Sequence, residues 1–104
     1  MEKVILSRPY SFEGKEYTEL TLDLEALTGK DMIEAEKETR ILLRDNPPLA
    51  ETSKAYLAVL AAKAAKVPLD LIVGLPVKDF SSVTMTVQNF LFDYPSGLDG
   101  SGLN

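Results

Sequence analysis

Apolar and polar positions alternate through the first quarter of the chain. Val4, Leu6, Tyr10 and Phe12 recur with period two, and so do Thr18, Leu20, Leu22 and Leu24, the pattern of half-buried strands over 3–12 and 16–25. Both apolar sets fall on even positions. An antiparallel pairing that puts them on one face therefore joins residues whose numbers add to an even value. A three-residue loop, Glu13-Gly14-Lys15, meets that condition. It sets Leu6 opposite Leu22 and Val4 opposite Leu24, with Gly14 free to take positive φ. Pro9 cannot donate to a ladder, so the first strand is an edge there or bulges, and a bulge would shift the register by one.

The period then becomes helical. Residues 28–45 carry a narrow apolar stripe of Met32, Ala35, Leu42 and Leu43, with Glu36 and Arg40 spaced as an ion pair on the wet side. Thr28 and Asp31 have the spacing of a capping box, and Leu27 with Met32 that of a hydrophobic staple. Asn46-Pro47-Pro48 ends this helix, because a residue before proline is pushed out of the α region. A second helix covers about 50–66 and centres on AYLAVLAAKAA, 55–65, where Lys63 is the one charge among strong helix formers. Leu57, Leu60, Ala61 and Ala64 form one face, and Ala58, Val59 and Ala62 make the other side apolar too. Such a helix is covered on most sides. A short helix at 68–74 has Pro68 at its start and Gly74 at its C-terminal cap.

The last helix, 77–92, follows from Phe80, Val83, Val87, Phe90 and Leu91. The β-branched residues of 83–87 also admit a strand, but the spacing of the larger apolar residues favours helix. Residues 93–104, DYPSGLDGSGLN, have little to bury and read as a flexible tail. The expected fold is α+β, an N-terminal β-hairpin (about 3–25) followed by a bundle of three to four helices, in a single domain spanning 1–92.

Composition narrows the chemistry. A chain of 104 residues holds one modest core. Eleven Lys and Arg against sixteen Asp and Glu give a net charge of −5, and no basic cluster is present to neutralise neighbouring phosphates, which argues against nucleic acid. Cysteine and histidine are both absent, which removes thiolate nucleophiles, imidazole bases and the zinc sites built from them. The expectation is a protein without catalytic residues, cofactor or metal. The N-terminus has no secretory core segment, and the longest uncharged run, Phe80–Phe92, is far short of the ~20 apolar residues of a membrane span. A cytoplasmic protein without a membrane partner is expected.

Two motifs invite a functional reading. Gly-Lys occurs at 14–15 and 29–30, but a phosphate loop needs a glycine five positions earlier and Ser or Thr after the lysine. Leu24 and Asp31 stand there instead. Thr28-Gly29-Lys30-Asp31 is thus a capped corner between strand and helix. The carboxylates, Asp23 and Asp31 among them, are scattered among Lys and Arg without metal-ligand spacing, and Asp79 suits the positive end of the last helix. The apolar surplus says more. Met85 and Phe92 lie roughly 120–140° from Phe80 around the last helix, outside its main stripe, and Val59 is off-stripe on the alanine-rich helix. Two readings fit: helices buried on two sides, or an exposed groove for a partner helix or for self-association.

In order along the chain stand Val4-Ile5-Leu6 with Pro9, Phe12-Glu13-Gly14-Lys15 leading into Leu20-Thr21-Leu22, and Leu27-Thr28-Gly29-Lys30-Asp31-Met32. Tyr56-Leu57-Ala58-Val59-Leu60, Val67-Pro68, Asp79-Phe80 and Phe90-Leu91 follow. This succession, over roughly residues 3–92, resembles the small Mu-like and P2-like tail assembly chaperones of tailed bacteriophages. The resemblance implies a non-enzymatic protein of the bacterial host cytoplasm, absent from the finished virion. It would keep the tape measure protein soluble and assist polymerisation of the tail tube protein. The family's motifs carry no contact residues over, so the candidate partner-contacting residues are Tyr56, Val59, Met85 and Phe92. A structural or adaptor part of a phage particle and a small regulatory protein-binding module are the alternatives.

Overall fold

The computed structural model describes residues 1–42 and 53–93 of the chain. Strands β1 (Glu2–Phe12) and β2 (Lys15–Leu22) form an antiparallel hairpin. Its turn is one residue shorter than the spacing predicts. Glu13 and Gly14, both at positive φ (49° and 81°), make a two-residue connection, and Phe12 pairs directly with Lys15. Positive φ at both central residues is the requirement of the type I′ turn that matches strand twist. A two-residue turn gives an odd-sum register, which would throw the two even-numbered apolar sets onto opposite faces.

The chain corrects this with a bulge. Pairing shifts between Ile5 and Tyr10, so that Leu6 to Pro9 stand against Thr18 alone, and below that point Val4 faces Leu20. The predicted partners, Leu22 for Leu6 and Leu24 for Val4, are therefore not the observed ones. Parity is restored by the three extra residues of the bulge rather than by the loop, and Val4, Leu6, Leu20 and Leu22 are all buried. The second strand also ends earlier than expected. Leu24–Ala26 turns as a single 3₁₀ helix, which still buries Leu24.

Helix α1 (Gly29–Leu42) starts from the predicted capping box. The Thr28 backbone N–H donates to Asp31 Oδ2 at 2.9 Å, and the Asp31 N–H donates to Thr28 Oγ1 at 3.3 Å. Leu27 and Met32 sit half-buried against the core, as a staple requires. The expected Glu36–Arg40 pair is absent. Glu38 instead meets Lys63 of the next helix at 3.0 Å, so the charge contact joins two helices rather than stitching one. The end of the first helix at Asn46-Pro47-Pro48, the stripe residues Leu42 and Leu43, the first turn of the second helix and the tail beyond Asp93 lie outside the described residues and side chains.

Helix α2 (Lys54–Ala65) is capped at its start by Ser53, whose Oγ accepts from the Tyr56 N–H. Eight of its twelve residues are buried, Tyr56 to Ala62 and Ala64, which is why its apolar residues form no single stripe. It ends at Lys66 in the left-handed conformation (φ 58°), with the Val67 N–H closing back onto the Ala62 carbonyl. Helices α3 (Leu69–Val73) and α4 (Val77–Leu91) follow. Residues 83–87 are helical, so spacing prevailed over β-branching there. α1, α3, α4 and β2 all pack on α2, and β1 packs on α4.

Three polar contacts fasten the hairpin to the helices. The Asp23 N–H donates to the Ala64 carbonyl in the last turn of α2 at 3.1 Å. Tyr10 Oη donates to the Leu71 carbonyl at 3.1 Å, passing over Gly74. Gly74 caps α3 at φ −85°, so it is not needed for positive φ; a Cβ there would lie 2.6 Å from Tyr10 Oη. The third contact uses the bulge. Ser7, released from the ladder, donates its N–H to Asp79 Oδ1 at 2.8 Å and its hydroxyl to Oδ2 at 3.0 Å. Asp79 is buried in the first turn of α4, where the helix dipole also favours its charge.

Two measurements check these contacts. Asp79→Ala is expected to lower the unfolding free energy by about 2 kcal/mol, the scale of bonds to a charged acceptor, whereas Ser7→Ala, which keeps the backbone bond, loses about 1 kcal/mol or less. Urea unfolding gives both values. The Asp31 carboxyl is held below its ordinary pKa, first by the Thr28 backbone N–H, with the Thr28 hydroxyl assisting. A depressed folded-state pKa means stabilisation that is full above the unfolded-state value and lost as pH falls through the folded one. The stability gap between wild type and Asp31→Asn is therefore expected to close on acidification, and a gap unchanged with pH would remove the capping role.

Candidate functional site

Helix α4 turns Val83, Thr84 and Val87 into the core and leaves the opposite side to solvent. A surface helix of a chain with 26% charged residues normally carries its charges there. Here the outer side holds Ser81, Ser82, Met85, Gln88, Asn89 and, just past the helix end, Phe92, without a charge from Phe80 to Phe92. Met85 is 53% exposed and Phe92 49%, and Val77 at the other end is 83% exposed. Met85 and Phe92 thus stand in solvent on a helix face that carries no charge between Phe80 and Phe92. Beside its C-terminal end is an open hollow of about 490 Å³, lined by Glu2, Thr86, Asn89, Phe90, Phe92 and Asp93.

The four residues singled out from the sequence separate into two pairs. Met85 and Phe92 lie together on this face, and Phe92 lines the hollow. Tyr56 and Val59 are core residues, 2% and 1% exposed, because α2 is wrapped by α1, α3, α4 and β2. A partner reaches neither unless α2 leaves its place. Spacing on α2 alone could not separate the two cases, since an off-stripe apolar residue is equally suited to a second layer of packing.

Exposed apolar residues that the sequence reading did not single out for a surface include Ile33 and Ile41, eight positions apart on α1, Ile5 on the outer face of β1, and Val73 and Val77. The signal for the first two was present: on a wheel they oppose Ala35. They are interleaved with Lys37 and Arg40, so that surface is amphipathic and basic rather than uncharged. The remaining motifs are structural. Lys30 and Gly29 open α1, and Gly14-Lys15 closes the hairpin, where the Lys15 ammonium lies 5.3 Å from the Tyr17 ring centre. No helix among the described residues is long and apolar enough to cross a membrane.

Comparison with known families identifies the chain's relatives. A family model described as "Phage tail assembly chaperone proteins, E, or 41 or 14" matches residues 3–91. The chain belongs to the phage tail assembly chaperone family. Its role is that of a chaperone in tail assembly, and its partners are proteins of that process. The matched span runs from the second residue of β1 to the last residue of α4, so among the described residues the hairpin and helices α1 to α4, with Met85, lie within the match, while Phe92 stands one residue past its end. Comparison with curated proteins and with solved structures gave no match.

The division between core and surface has a direct consequence for mutants. Val59→Asp buries an unpaired charge and is expected to cost more than about 3 kcal/mol, a large fraction of the stability of a domain this size. Met85→Asp is expected to stay within about 0.5 kcal/mol of wild type, as for ordinary surface substitutions. Thermal or urea unfolding of the two variants makes the comparison.

Proposed function

We propose that this chaperone holds the tape measure protein soluble by covering its apolar helical segments with the outer face of α4, in the host cytoplasm, before the tail is complete. The observation that carries this reading is the uncharged, partly apolar α4 face in a chain that belongs to the tail assembly chaperone family. An amphipathic helix binds in a groove through apolar anchors at helical spacing, and a surface with no charge admits such anchors without desolvating an ion. The net charge of −5 keeps the resulting complex from aggregating. Tail tube subunits are a second client of the same kind. Binding needs no nucleotide and no cofactor.

Co-expression with the tape measure protein of the same phage tests this. The wild-type chain is expected to raise the soluble fraction of the tape measure protein and to co-purify with it, and Met85→Glu combined with Phe92→Glu to abolish both while remaining folded. Rescue that survives the double substitution moves the client off α4. No rescue by the wild type removes the tape measure protein as client.

A further inference from the structure

The exposed face of α4 has a second property, a near-symmetric order about its midpoint. Lys78, Met85 and Phe92 are spaced seven apart, so they lie along one seam that drifts only ~20° per heptad. We propose that, free of a client, two copies of this chain pair through α4, antiparallel, about a two-fold axis at Met85. A two-fold contact sets each surface against its own copy, so any net charge on it is met by a like charge. The α4 face avoids that penalty, being uncharged from Phe80 to Phe92 and carrying opposite charges at its two ends, Lys78 near the start and Asp93 just past the finish.

Antiparallel pairing about Met85 brings those ends together. Lys78 of the second copy meets the Phe92 ring, with Asp93 and Glu2 at the mouth of the adjoining hollow, so its ammonium finds a π face and two carboxylates. Among the described residues neither Lys78 nor Asp93 has an ion-pair partner within the chain. Between the ends, Ser81 comes opposite Gln88 and Ser82 opposite Asn89 of the second copy, each pair on one flank of the seam, hydroxyls against carboxamides. The two helix dipoles also oppose, and each Asp93 approaches the positive N-terminal end of the other α4. A parallel pairing would instead stack Lys78 on Lys78 and Asp93 on Asp93.

The contact is small. A 15-residue helix is roughly 22 Å long and about 10 Å wide, which allows on the order of 200–300 Å² per copy, against the ~800 Å² of a standard interface. Pairing is therefore reversible, and it covers Met85 and Phe92 until a client displaces the second copy. This inference uses the same face as the client reading but rests on the residue pattern alone.

The absence of native cysteine makes the test clean, because each substitution introduces the only thiol. Pure Lys78→Cys, Met85→Cys, Phe92→Cys and Val73→Cys variants are treated with a short bis-maleimide. Val73, exposed on α3, is the control. Met85→Cys is expected to give covalent dimer on the order of tenfold faster than Val73→Cys, as for thiols held close rather than meeting by diffusion. Lys78→Cys mixed with Phe92→Cys is expected to cross-link faster than either alone. Equal rates for Met85→Cys and Val73→Cys would overturn the pairing, and Phe92→Cys alone matching the mixture would overturn its antiparallel sense. No client enters the experiment, so its failure leaves the solubility result standing, and the reverse holds too.

Discussion

Helix α2 has to be covered on nearly every side, and the rest of the molecule is arranged to do it. Its two charges, Lys54 and Lys63, are both partnered on neighbouring helices, Lys54 donating to the Thr84 hydroxyl at 3.3 Å and Lys63 to Glu38 at 3.0 Å. Everything between them is apolar, and α1, α3, α4 and β2 each spend their inner face on it. A core built this way uses small residues to bring the other elements close. Ala58 and Ala61 are fully buried, and side chains this small leave room for neighbouring elements to come close. The outer faces of those neighbours are then free of structural duty.

The hairpin is joined to this bundle through its own irregularity. A regular two-residue hairpin would split the apolar positions between two faces. The bulge at Leu6–Pro9 reunites them and at the same time frees the Ser7 N–H, which the buried Asp79 accepts. One local distortion therefore sets the sheet register and docks the sheet on α4. Tyr10 over Gly74 makes the same join at α3, where the lack of a side chain leaves room for the phenol to reach the Leu71 carbonyl. These contacts fix the start of α4 relative to β1, and so fix the direction in which Met85 and Phe92 point.

Local rules made much of this legible. The capping box of Thr28 and Asp31, the helical period of Phe80 to Leu91 and the helix of 55–65 each depend on neighbours within a few residues, and each appears as the sequence pattern implies. The register of the hairpin does not, because it depends on a turn whose length is settled by Glu13 accepting positive φ and on a bulge stabilised from seventy residues away by Asp79. The same limit applies to the proposed client surface. Val59 and Met85 look alike on their own helices, and only the packing of other elements makes one core and the other surface. Ile33 and Ile41 show the converse: their exposure follows from which face of α1 the alanine-rich helix takes up.

The proposed function draws on what the wrapping of α2 leaves over. A chaperone that covers apolar segments, as proposed, needs a surface that accepts them without holding them irreversibly, and the α4 face offers a few large apolar groups set among hydroxyls and carboxamides. The three methionines provide built-in probes of this account. Met85 lies on the face, Met32 is half-buried against the core on α1, and Met1 lies at the chain start. Methionine-methyl NMR of the ¹³C-labelled chain, recorded as the tape measure protein is added, is the most direct test. The account predicts that the Met85 methyl shifts or broadens while Met32 stays in place. A silent Met85 beside a responding Met32 would contradict it, placing the client on α1 or requiring the core to open.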